Sequence, residues 1–142
     1  MTTRLTEDLK REHVELREVL ERVKAIGIGS KEGQQELLRA RELFLAHVAR
    51  EDREFYPSYR GLAESSPEAK RKAEQFGSEM ATISRDLTAF FDRYRNGGEG
   101  LAFARDFGRF YAALFLRWQK EESQLYASYE KLANAAATSN AA

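Results

Sequence analysis

At 142 residues the chain suits one domain with a continuous core, and its 23 basic and 23 acidic residues leave no formal net charge. That balance excludes the basic field that draws phosphate backbones, and no Lys/Arg-rich run grips an anionic membrane, so neither nucleic acid nor a membrane is an expected partner. Cysteine is absent, which removes disulfides, thiolate sites and cysteine nucleophiles and leaves two histidines as the only imidazole ligands.

The opening stretch MTTRLTEDLKREH is polar where a secretory signal needs an apolar centre, and no run reaches the roughly 18 apolar residues of a membrane span. A cytoplasmic protein is expected. Glycine and proline cluster around Gly27 to Gly33, Pro57 to Pro67 and Asn96 to Gly100, dividing the chain into four long segments. The first, Thr6 to Ile26, carries Leu9, His13, Leu16, Leu20 and Val23 in alternating steps of four and three, a helical stripe, with Thr6 as the expected cap.

The second segment, Glu32 to Tyr56, turns Leu37, Ala40, Phe44, His47, Glu51 and Phe55 to one side, and Pro57 is expected to end or kink it. Residues 58–65 read as a connector. Ser66 caps the third segment with Pro67 in its first turn, and the stripe Phe76, Met80, Ile83, Leu87, Phe90 and Tyr94 runs until Asn96, Gly97 and Gly98 stop it. The fourth, Leu101 to Leu132, shows Phe103, Phe107, Phe110, Leu114, Arg117, Glu121 and Leu125 in nearly the same rhythm. Phe103, Phe107, Phe110, Tyr111 and Phe115 read as bundle filling, and Arg50, Asp52, Arg53 and Glu54 as a solvated face.

These patterns predict an all-α, up-down-up-down antiparallel four-helix bundle over residues 1–134, followed by a flexible tail over 135–142. The four stripes bring His13, His47, Glu51, Met80, Arg117 and Glu121 into the interior. Buried imidazole and carboxylate need partners to offset the loss of water, either a metal ion or other hydrogen-bonding side chains.

Leu9 with Glu12-His13 and Leu16, His47-x-x-x-Glu51 followed by Phe55-Tyr56-Pro57, and Glu121 followed by Leu125-Tyr126 resemble the haemerythrin-like HHE cation-binding domains, four-helix bundles holding a di-iron centre. The resemblance spans almost the whole chain. It implies His13, His47, Glu51 and Glu121 as metal ligands, complete for one ion. Met80 and Arg117 stand where the family pattern places terminal histidines of the second ion. Arg117 is then expected to put a fixed cation where that ion would sit, pairing Glu51 and Glu121, with Met80 filling vacated space.

The implied function is metal binding at a mononuclear site of two histidines and two glutamates, in small-oxidant sensing or cation handling. The metal cation would be one iron, with manganese or zinc also compatible, and a small diatomic or oxidant is the further partner. Reversible oxygen carriage, which uses two irons, fits poorly. The alternative reading is a metal-free degenerate bundle in which His13 is a hydrogen-bonded core histidine, Glu51 bridges Arg117, and the protein acts as a regulatory or protein-interaction module. No catalytic constellation is apparent: Ser-His-Asp, phosphate-loop and His-Glu-x-x-His patterns are missing, and Lys10 and Phe44 stand where a ferritin-like Glu-x-x-His would need glutamate.

Overall fold

The computed structural model describes residues 2–141, and every regular element among them is helical. In chain order they are α1 (Arg4–Ile26), α2 (Lys31–Arg50), α3 (Tyr56–Leu62), α4 (Pro67–Arg93), α5 (Gly100–Lys120) and α6 (Ala127–Ala141). A π-helical turn, Glu51–Phe55, joins α2 to α3, and a second, Glu121–Tyr126, joins α5 to α6. The six helices therefore form four rods of an up-down-up-down antiparallel bundle. Among the described residues no helix is long and apolar enough to cross a membrane.

The rods start where side chains can satisfy free backbone N–H groups. Ser30 caps α2 and Ser66 caps α4, which has Pro67 in its first turn as expected. At α1 the expectation is corrected: Thr3 is the cap, and Thr6, fully buried at the third helical position, returns a hydrogen bond to the Thr3 backbone as the other half of a capping box. Gly27 ends α1 at φ 73°, a conformation that favours glycine, and a Cβ on Gly33 would lie 1.7 Å from the Gly27 carbonyl oxygen. This close approach fixes how α2 leaves α1.

Pro57 neither ends nor breaks the second rod, and the expected connector over 58–65 is helical as far as Leu62. The wide turn just before Pro57 is the physical reason. Proline has no N–H and crowds the carbonyl four residues back, and a π-helical turn opens the backbone at that point. The same widening lets consecutive residues face inward: Phe55 and Tyr56 are both buried, as are Leu125 and Tyr126. The fourth rod also runs beyond the expected Leu132 to Ala141, through Ala135, Ala136 and Ala137, residues of the highest helix propensity.

Two apolar clusters fill the bundle. One holds Leu16, Phe44, Met80 and Leu114 with Phe90, Phe91, Phe103, Phe107 and Phe110; the other holds Leu9, Phe55, Phe76, Leu125, Tyr59 and Tyr126. Each fully buried Leu or Phe contributes about 1.5–3 kcal/mol. The expected stripes are buried except Ile83, which is half-buried, and Phe115, expected as filling, is 38% exposed. In three of the four rods the clusters bracket one level: Leu9 and Leu16 flank His13, Phe44 and Phe55 flank His47 and Glu51, and Leu114 and Leu125 flank Arg117 and Glu121. The polar residues thus form a tier between two apolar layers.

Candidate metal centre

All five inward-facing polar residues reach the tier, with exposures of 3% for His13 and His47, 1% for Glu51 and Glu121, and 5% for Arg117. His13 Nε2 lies 3.2 Å from His47 Nε2 and 3.2 Å from Glu121 Oε1. Ligand atoms of His13, His47 and Glu121 fall within 4.8 Å of one another; Glu51 is not part of that close group, but its Oε1 lies 3.3 Å from His47 Nε2. Apart from that approach Glu51 Oε1 is buried without a hydrogen-bond partner among the described residues.

The outer nitrogens are held by carboxylates. His13 Nδ1 lies 2.8 Å from Glu122 Oε2, and His47 Nδ1 lies 2.7 Å from Glu12 Oε1. In a neutral imidazole, a proton donated from Nδ1 to a carboxylate leaves the Nε2 lone pair free. Two such lone pairs would meet here at 3.2 Å with no proton between them. A cation held by both would resolve the conflict, since donors about 2.0–2.1 Å from one tetrahedral ion stand about 3.3–3.4 Å apart, close to the spacing seen here. The donor set, its spacing and the orphaned carboxylate oxygen fit a metal ion.

Without a cation the same geometry holds protons. Burial opposes charge on His47, but hydrogen bonds to Glu12 and Glu51 and the charges of Glu51 and Glu121 outweigh it and raise its pKa to about 10. His13 is raised too, with burial overcome by Glu121 and Glu122. Burial and the nearby Glu51 charge push Glu121 up despite His13 and Arg117.

Arg117 departs in part from expectation. Its Nε donates to Glu121 Oε2 at 3.2 Å, one amino group to Glu79 Oε2 at 3.0 Å, and the other to the Phe76 carbonyl at 2.8 Å. The guanidinium also lies 4.7 Å from the Phe76 ring centre. The expected bridge to Glu51 is not made, because the guanidinium nitrogens are committed elsewhere. Glu51 Oε2 instead accepts from the Tyr126 hydroxyl at 3.0 Å. Glu121 therefore turns Oε1 to His13 and Oε2 to Arg117. Met80 is 6% exposed and packs in the apolar cluster, as expected.

Several contributors escape the sequence pattern. Arg50, expected on a solvated face, donates to Glu12 at 2.7 Å, Asp8 at 2.9 Å and Glu54 at 2.6 Å, anchoring the carboxylate behind His47. Trp118 and Tyr126 stack on the His13 ring at 5.2 and 5.8 Å. Glu12 and Glu122 each adjoin a candidate ligand in sequence, the one signal that could have found them.

Compared with known families, residues 3–129 match the Hemerythrin HHE cation binding domain. The chain belongs to this family of cation-binding domains. No curated protein and no solved structure matches it.

Proposed function

We propose that the protein binds one metal ion through His13, His47, Glu51 and Glu121, and that it handles a cation or senses a small oxidant. Its iron-binding family makes iron the first candidate, and two imidazoles with two carboxylates also suit manganese or zinc. The observation that carries the reading is the pair of imidazoles whose Nδ1 atoms face carboxylates while their Nε2 atoms converge at 3.2 Å.

When bound, such a metal would supply a Lewis-acidic centre. Glu12 and Glu122 fix the ring orientations, Arg50 anchors Glu12, and the Trp118 and Tyr126 rings shield His13 from water. The Tyr126 hydroxyl sits 3.0 Å from Glu51 and 3.4 Å from His13 Nε2, placed to hold a proton beside the site.

Elemental analysis tests this on protein produced with iron, manganese and zinc supplied, alongside a folded His47→Ala variant. One equivalent of metal is expected in the parent and almost none in the variant. A folded parent without metal overturns the proposal and leaves the buried Arg117 network as the purpose of the tier.

A further inference from the structure

An open trough of about 780 Å³ runs between α1 and α5, away from the candidate metal centre. Phe103, Phe107 and Phe115 of α5 and Ile28 wall it, and Gly108 faces it from α5, where an added Cβ would meet nothing within 4 Å. The α1 side is charged. Arg17 and Lys24, two helical turns apart, line the trough, and neither has an ion-pair partner among the described residues. Glu21 lies between them, with its carboxylate accepting the Tyr111 hydroxyl at 2.8 Å.

We propose that this trough is a binding site for an amphipathic anion, with an aliphatic chain against the aromatic wall and a carboxylate on the Arg17/Lys24 row. The volume falls within the roughly 300–1,000 Å³ of small-molecule sites, and apolar walls with a few placed polar groups are their usual lining. Charge complementarity selects the occupant. Arg17 and Lys24, with Glu21 between them, leave one net positive charge on the row, which a single carboxylate neutralises. None of the trough residues is a candidate metal ligand, so the site stands apart from the metal reading.

Decanoate, titrated calorimetrically into the full chain below its micelle concentration, tests the proposal with decanol as the uncharged control. Trp118, the chain's single tryptophan, lines an adjoining cavity that shares Arg17 and Phe115 and gives a second readout by fluorescence. Saturable 1:1 binding of decanoate is expected, at least tenfold tighter than decanol. Gly108→Leu, which fills the trough where space is open, should abolish it, and the surface variant Arg17→Ala/Lys24→Ala should weaken it tenfold or more. If Gly108→Leu does not fold, the double variant decides alone. No saturable binding, or undiminished binding in a folded variant, overturns the proposal. So does a parent dimer that Gly108→Leu converts to monomer, which would assign the trough to a second copy.

Discussion

The two halves of the polar tier are built on one plan and differ at three side chains, two of which, His13 against Met80 and His47 against Arg117, face the interior. The first two rods supply Glu12-His13 and then His47, Arg50, Glu51, Tyr56 and Tyr59; the last two supply Glu79-Met80 and then Arg117, Lys120, Glu121, Tyr126 and Tyr129. Contacts repeat with the residues. Glu12 bridges His47 and Arg50, and Glu79 bridges Arg117 and Lys120. Each π-helical turn begins at the tier glutamate. Where the first half has imidazoles, the second has Met80 and Arg117, so under the proposed function one half would present lone pairs to a metal ion while the other carries a cation of its own.

If those two side chains account for the difference, restoring them should erase it. Met80→His with Arg117→His is expected to raise the bound metal from one equivalent to two, read by elemental analysis of folded protein. A folded double variant that still holds one equivalent would break the correspondence between the halves. The next effect is on stability. Arg117→Met leaves Glu121 Oε2 buried without its donor, and removal of one partner from a buried ion pair costs about 3–5 kcal/mol. Urea unfolding in the presence of a chelator measures it, and a loss near zero would mean that water replaces the guanidinium.

Glu12 and Glu79 sharpen the comparison further, being counterparts with different neighbours. Glu12→Ala frees the His47 ring and should lower metal affinity about 10- to 100-fold, the usual cost of losing a carboxylate behind a ligating histidine. Glu79→Ala acts on Arg117 and should leave affinity unchanged to within about twofold, since that carboxylate contacts no candidate ligand. Competition against a chromophoric chelator reads both, and equal losses would contradict the division of labour.

What was legible beforehand follows from periodicity. An imidazole or carboxylate standing at an apolar position of a helical stripe is visible in one dimension, so His13, His47, Glu51, Arg117 and Glu121 could be placed inward and at one level. Which acid meets which base depends on the register between rods. Glu12 reaches His47 across 35 residues and Arg117 reaches Glu79 across 38, separations that no helical repeat encodes. For the same reason Arg50 read as solvated, and the expected Glu51 to Arg117 bridge went instead to Tyr126. The π-helical turns left only a faint mark, the adjacent pairs Phe55-Tyr56 and Leu125-Tyr126, because a four-three rhythm admits one of two neighbours to a face.

The smallest difference between the halves is at the tyrosines. Tyr126 donates to Glu51 Oε2, but its counterpart Tyr56 has no hydrogen-bond partner for its buried hydroxyl among the described residues, and Arg117 already occupies Glu121 Oε2. Burial and the charges of Glu51 and Glu121 raise the pKa of both phenols, so each is a neutral O–H donor at neutral pH. Tyr126→Phe strands a buried carboxylate oxygen and should cost about 1–3 kcal/mol in metal-free protein, whereas Tyr56→Phe removes an unsatisfied group and should be neutral or stabilising by up to about 1 kcal/mol. Chemical unfolding of the two variants in parallel gives the sign. If Tyr56→Phe destabilised as much as Tyr126→Phe, the Tyr56 hydroxyl would have a bonding partner, and the halves would be more nearly equivalent than their contacts make them.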